Sequence, residues 1–131
     1  MFKPNYAFSG LSYKDEDATK HFYTDKLGLD VERDEMGLRV HLPGGSQLYM
    51  YQKDNHQPAT FTVLNFVVDD IDEAVTELTN RGVKFERYEG MPQDDTGIAR
   101  GIAANRGPDI AWFTDPSGNI LAVLQNAPKT N

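Results

Sequence analysis

The sequence has 131 residues, enough for one domain or for two small halves that share a core. Hydrophobic residues make up 39% and charged residues 25%, a balance typical of globular rather than disordered proteins. The net charge of −7 disfavours nucleic acid as a partner, and the absence of cysteine excludes disulfides and thiolate chemistry. No apolar run approaches the ~20 residues of a membrane span. The first residues lack a secretory signal pattern, so we expect a cytoplasmic protein that binds neither nucleic acid nor membrane.

The first half of the chain predicts a strand, a helix and three further strands. Residues 5–13 are β-prone, and residues 15–28 have helical spacing of apolar side chains. Asp15 suits the N-cap of this helix and Gly28 its end. A glycine pair indicates a hairpin between the last two strands. The three strands are predicted at residues 29–34, 38–43 and 46–52.

After a polar linker, residues 53–60, the same order begins again. A strand at 61–68 precedes a helix at 69–82, in which Asp70 and Glu73 have the capping-box spacing. An Asp-Pro-Ser-Gly-Asn turn indicates a closing hairpin. The remaining strands are predicted at residues 83–89, 109–115 and 119–125.

The two halves align at an offset of about 55 positions, which indicates an internal repeat. Asp15 falls on Asp70, and Gly28 falls on Gly82 with one residue lost. Two units of this kind usually bury a common face. A chance likeness between two strand-helix starts is the alternative, but the helix-ending glycines and the three-strand tails also match.

Three stretches resemble the vicinal oxygen chelate superfamily, which includes glyoxalases, extradiol dioxygenases and bleomycin and fosfomycin resistance proteins. They are HFYTDKLGLDV, FVVDDIDEAVTELTNRGVKF and AWFTDPSGNILAVLQ. The resemblance covers nearly the whole chain. It implies an α+β fold: one domain of two tandem βαβββ modules, residues 5–52 and 61–126, whose sheets curve around a cup. It also implies a homodimer.

The resemblance further implies where a metal would be held in the metal-using members. His, Gln or Glu side chains fill four ligand positions there, on the first and last strands of each module. In this sequence the positions fall on Phe8, Tyr49, Val63 and Ala122. Three of these side chains have no donor atom, and a lone phenol binds a divalent ion weakly. We therefore expect neither a metal nor another cofactor.

Strand alternation extends the cup lining beyond these four positions. It adds Arg39, His41, Tyr51 and Asn65 to the aromatic and aliphatic walls. Apolar walls with a few polar groups are typical of a small-molecule pocket. In the alternative, the apolar side chains pack together and close the cup.

Further candidates lie outside these strands. Loop 90–108 is long enough for a lid, and its Arg100 or Arg106 could meet an anionic group. Trp112 could stack on a flat ligand, or it could pack in the core or in a dimer interface. His41 could act as a general acid or base, or it could be a hydrogen-bonded structural residue. The other two histidines, His21 and His56, are predicted at the surface or in packing roles.

Three functions fit these patterns. The first is a metal-free protein that sequesters a small, partly aromatic ligand in an apolar cup. The second is a metal-independent lyase or isomerase with His41 or a tyrosine as its acid or base. The third, a metalloenzyme with displaced ligands, is disfavoured by the missing donors at the four implied positions.

Overall fold

The computed structural model describes residues 1–128. They divide into two compact units, Met1–Gln57 and Pro58 onward. Each unit contains one four-stranded mixed sheet, with a helix between the first and second strands of that sheet. The chain therefore has the predicted α+β architecture, in which two βαβββ modules follow one another.

The first module has its strands in the spatial order β1-β4-β3-β2. Strand β1 runs parallel to β4, and the other neighbours are antiparallel. Its elements are β1 (Ser9–Tyr13), α1 (Glu16–His21), β2 (Asp30–Asp34), β3 (Gly37–His41) and β4 (Gln47–Gln52).

Helix α1 begins and ends where the sequence predicts. Asp15 is extended, and its side chain accepts a hydrogen bond from the backbone N–H of Ala18 at 3.0 Å. This bond satisfies one of the free N–H groups at the helix start. The helix continues as a π-helical turn, Phe22–Lys26, and ends at Gly28 with φ +70°.

One face of the first sheet is buried and the other is open. Leu38, Leu48 and Met50 are fully or almost fully buried. Between them in sequence, Arg39 and Tyr49 lie opposite each other in register on the other face. The two-residue period of a strand thus separates a core side from an open side, as the alternation predicts.

The second module repeats this topology, with the order β5-β8-β7-β6 and with β5 parallel to β8. The repeat predicted from the sequence is therefore present in the fold. Its elements are β5 (Thr62–Val67), α2 (Ile71–Asn80), β6 (Ala99–Arg100), β7 (Asp109–Thr114) and β8 (Ile120–Gln125).

Helix α2 is held at its first turn. The Asp70 side chain accepts from the Glu73 backbone N–H at 3.1 Å, so the predicted cap forms. The Ile71 N–H donates to the side-chain oxygen of Gln125 on β8 at 2.9 Å, and Ile71 and Val75 are buried. Neither α2 nor any other helix within residues 1–128 has the apolar length that a bilayer crossing requires.

The strand predicted at residues 83–89 does not form, and this expectation was wrong. Only an isolated bridge joins Phe85 to Phe113. After this bridge, the backbone bonds to a side chain of the next loop instead of to a strand. The Tyr88 N–H donates to the Gln93 side chain at 2.8 Å. The second strand of the module, in chain order, is β6 instead, where Ala99 pairs with Ile110.

Gly37 is the position where the first sheet has least room for a side chain. Its φ is +153°, and an added Cβ would lie 2.2 Å from the carbonyl oxygen of Met50. We expect Gly37→Ala to lower the free energy of unfolding by roughly 2–4 kcal/mol, because the backbone itself must shift. Gly44→Ala is the matched control: φ is +89° there, but nothing lies within 4 Å. It should cost only about 1 kcal/mol, the cost of a strained backbone. Urea unfolding of both variants measures this, and equal losses would contradict the crowding at Gly37.

Candidate functional site

A groove of about 870 Å³ opens in the first module. It is lined by the segment before β1, the β2–β3 turn, the β3–β4 hairpin and the strands β2, β3 and β4. The side chains that give it its chemistry are three aromatic rings, a thioether and two opposite charges: Tyr6, Phe8, Tyr49, Met36, Asp34 and Arg39.

The aromatic rings form a row along the groove. The Tyr6 and Phe8 ring centroids are 6.4 Å apart, and those of Phe8 and Tyr49 are 6.2 Å apart with an edge-on geometry. Tyr6 is 78% exposed and Phe8 is 59% exposed. Large aromatic side chains that remain this open give a surface on which an apolar ligand can pack.

The carboxylate of Asp34 organises the polar part of the groove. Its Oδ1 accepts from the hydroxyl of Tyr49 at 2.9 Å and from the backbone N–H groups of Met36 and Gly37 at 2.9 and 3.2 Å. Its Oδ2 accepts from Nη2 of Arg39 at 3.3 Å. One side chain therefore connects β2, the following turn, β3 and β4.

These contacts fix the ionisation of the pair Asp34 and Tyr49. The Met36 N–H and the Tyr49 hydroxyl are the main hydrogen bonds that hold the pKa of Asp34 below its usual range. Burial, followed by the bond to Asp34, raises the pKa of Tyr49. At neutral pH the carboxyl is therefore ionised. The phenol stays protonated and donates a hydrogen bond to it.

Three of the residues predicted from the sequence meet in this groove: Phe8, Arg39 and Tyr49. The residues that line it do not include His41 or Tyr51. His41 lies at the end of β3, where its Nε2 is 3.0 Å from a carboxylate oxygen of Glu32. Tyr51 lies two residues after Tyr49 on β4 and is partly exposed.

The other predicted residues belong to the second module. Asn65, Ala122 and Trp112 lie opposite one another across β5, β8 and β7, so they share a sheet face. Ala122 is fully buried, and the Trp112 ring packs edge-on against Tyr88 with centroids 5.4 Å apart. Val63 lies at a break in register between Thr62 and Leu64, a β-bulge.

Arg100 is paired with acidic side chains of the chain itself. Its guanidinium contacts Asp72 at 2.5 and 3.2 Å, Asp94 at 2.9 Å and Asp109 at 3.7 Å. The hydrogen bond to Asp72 is the main cause of its raised pKa. Because internal carboxylates already surround this cation, it anchors loop 90–108 to the first turn of α2 rather than facing a ligand.

Two histidines complete the placement of the predicted residues. His21 is exposed on α1, with its Nδ1 2.6 Å from Asp25. His56 is buried, and its Nδ1 is 2.5 Å from the hydroxyl of Ser12 on β1. His56 thus attaches the end of the first unit to its sheet.

Sequence reasoning missed Asp34, Met36 and Tyr6 as groove residues. The Asp-Glu-Met-Gly sequence between two β-like runs carried a turn signal that could have placed Asp34 at a tight bend. Tyr6 lies two residues before Phe8, so strand alternation could have placed both on one face. No local pattern indicated that these side chains would converge.

The family model of the Glyoxalase/Bleomycin resistance protein/Dioxygenase superfamily matches residues 7–123. The chain belongs to this superfamily. The strand order of both modules agrees with this membership. Among proteins with curated descriptions, none gives a significant match to the sequence.

Solved structures with a similar fold include other members of this superfamily. A glyoxalase family protein from Enterococcus faecalis is 25% identical with a TM-score of 0.64, covering 95% of this chain and 99% of that one. TnmS3, an antibiotic binding protein from a Streptomyces species, is 22% identical with a TM-score of 0.65, covering 96% and 100%. The fosfomycin resistance protein FosX from Listeria monocytogenes is 14% identical with a TM-score of 0.68, covering 95% and 94%. At these last two identities the likeness shows a shared fold alone.

The residues at the four implied metal positions of this superfamily member do not fit a divalent ion. Phe8, Val63 and Ala122 have no lone-pair donor in their side chains. The Tyr49 hydroxyl stays protonated and donates a hydrogen bond to Asp34. Within residues 1–128, no three His, Cys, Asp or Glu side chains are grouped so that they could hold a metal ion.

Asp94 gives the second module a measurable pH dependence. Burial raises the pKa of this carboxyl, but bonds from the Thr96 hydroxyl, the Ile98 N–H and Arg100 outweigh burial and lower it to about 2. A pKa below the unfolded value of about 3.9 stabilises the fold above that pH, and this contribution is lost as the pH falls toward 2.

We therefore expect Asp94→Asn to lower the free energy of unfolding by about 1–2 kcal/mol at neutral pH. The difference from the unmodified protein should shrink as the pH falls from about 4 to about 2. Asp95→Asn is the control, because Asp95 is exposed and only its backbone carbonyl is bonded, to Arg87. Urea unfolding across this pH range measures both, and a loss that does not depend on pH would contradict the assignment to Asp94.

Proposed function

We propose that this member of the superfamily is a metal-independent binding protein that sequesters a small, partly aromatic molecule in the groove of its first module. The observation that carries the proposal is the row of open rings, Tyr6, Phe8 and Tyr49, beside the polar pair Asp34 and Arg39. The groove volume of about 870 Å³ lies within the range of small-molecule sites. The rings supply contact area at low entropy cost, and the polar pair orients the ligand.

The same contacts favour binding over catalysis. A general base needs a free lone pair within reach of the ligand. The raised pKa of Tyr49 keeps its hydroxyl protonated, and the carboxylate of Asp34 is already hydrogen-bonded. His41 is engaged with Glu32 and is not among the groove residues. A metal-independent lyase or isomerase therefore has less support from these residues than a binding protein has.

The fold comparisons add a weaker argument. TnmS3 is an antibiotic binding protein and FosX is a fosfomycin resistance protein. Both share the fold of this chain, which makes small-molecule recognition a reasonable use of the same architecture. A shared fold does not define a ligand, so the proposal depends on the groove itself.

A naphthalene carboxamide is a suitable uncharged probe, because its two fused rings match the row of aromatic side chains. Tyr49→Ala should weaken its binding by about 1–3 kcal/mol, the scale of one large apolar contact. Phe8→Ala should also weaken it, whereas Phe2→Ala, which removes an exposed ring outside the groove, should not. Amide NMR titration measures the affinities and locates the site.

The same titration tests metal independence. Addition of EDTA should leave the affinity for the carboxamide unchanged, because none of the contacts needs an ion. A loss of binding in EDTA would contradict metal independence. Equal affinities for the Tyr49→Ala, Phe8→Ala and unmodified proteins would place the ligand elsewhere.

We further propose that the protein forms a homodimer. Phe61, just before β5, and Val67, at its end, are 67% and 64% exposed, and a symmetric contact between two copies could bury both. Light scattering should give twice the 14.7 kDa chain mass. Val67→Lys should shift the population toward monomer, whereas Thr76→Lys on the exposed side of α2 should not. A single-chain mass at all micromolar concentrations would contradict the dimer.

A further inference from the structure

We infer that the ligand of the first-module groove is an aromatic carboxylate. Its ring would pack on Phe8 and Tyr49, and its carboxylate would be bound by the guanidinium of Arg39. This inference rests on the proposed binding function and names the chemical class of the ligand. It rests on which hydrogen-bonding groups of the groove already have partners within the protein and which do not.

The acidic group of the groove has little capacity left for a ligand. Oδ1 of Asp34 accepts three hydrogen bonds, from Tyr49, Met36 and Gly37, although an oxygen of this kind offers about two lone pairs. Oδ2 is within 3.3 Å of the positive charge of Arg39. A ligand ammonium would have to compete with all of these donors, so the groove is poorly suited to a cation.

The basic group of the groove, the guanidinium of Arg39, has hydrogen-bond donors left for a ligand. A guanidinium carries five N–H donors in a planar fork. Nη2 of Arg39 contacts Asp34 at 3.3 Å, and residues 1–128 provide no second acceptor for its remaining donors. The side chain is 41% exposed and lines the groove. A two-oxygen acceptor is the partner that matches such a fork, and the contact with Asp34 holds the fork in place.

Arg39 and the aromatic row are close enough to act on one molecule. Arg39 lies opposite Tyr49 in register on adjacent strands, and Tyr49 packs against Phe8. A ligand whose ring covers Phe8 and Tyr49 therefore extends toward β3, where the guanidinium lies. The net charge of −7 gives no long-range attraction for an anion, so this recognition depends on short-range hydrogen bonds.

The test compares two probes of the same shape, naphthalene carboxylate and the naphthalene carboxamide used above. The unmodified protein should bind the carboxylate about five- to tenfold more tightly, the difference between charge-assisted and neutral hydrogen bonds. Arg39→Gln should remove this preference and leave carboxamide binding in place. Arg39→Lys should keep part of it, because lysine keeps the charge and loses the fork.

Arg81→Gln is the matched control. Arg81 follows α2 in the second module, binds Glu77 at 2.7 Å and does not line the groove, so its loss should leave the preference unchanged. Retained carboxamide binding by the Arg39→Gln variant shows that the groove is still folded.

The outcomes separate the inference from the proposed function. Equal binding of both probes by the unmodified protein would overturn the aromatic carboxylate and leave the binding function standing. Tighter binding of a naphthylmethylammonium ion than of the carboxylate would overturn it in favour of a cation. Binding of neither neutral nor charged probe in the groove would overturn the proposed function, and the inference with it.

Discussion

The candidate site of the first module depends on one carboxylate, that of Asp34. Its two oxygens accept hydrogen bonds from the N–H groups of the β2–β3 turn, from the hydroxyl of Tyr49 and from the guanidinium of Arg39. Without this acceptor, the β2–β3 turn would lose two hydrogen bonds and the Tyr49 hydroxyl would lose its acceptor. The negative charge also stabilises the phenol in its protonated form and fixes the direction of the arginine. Shape and electrostatics of the groove therefore have a common origin.

The second module also uses aspartate side chains to hold its turns. Asp94 accepts from the Thr96 hydroxyl and from two backbone N–H groups, while Asp115 accepts from Ser117 and Asn119 in the closing turn. Short carboxylates suit such bends because they reach their own backbone two to four residues later. In both modules the turns are thus ordered by aspartates. Asp34 in the first module also accepts from two side chains that line the groove, Tyr49 and Arg39.

Much of the fold could be predicted from the sequence, because caps and strand alternation are local. Asp15 and Asp70 cap the two helices as predicted. The apolar alternation of Leu38 and Val40 placed Arg39 on the open face, where it lies opposite Tyr49. The failures came from side-chain contacts that the strand pattern does not contain. At residues 83–89 the Gln93 side chain accepts from the Tyr88 N–H and donates to the Glu86 carbonyl, so these backbone groups do not pair with a strand. Arg100 is paired with carboxylates up to 28 positions away. Local patterning contains no signal for either.

The bulge at Val63 changes how the two modules correspond. Thr62 pairs with Ile120 and Leu64 with Leu121, so one residue of β5 has no counterpart on β8. Odd and even positions therefore exchange faces there, and the offset of 55 relates β1 to β5 only from Leu64 onward. One extra residue at such a place turns the side chains before it to the other face of the sheet, while the rest of the ladder stays in register. The second module can in this way acquire its own surface without refolding.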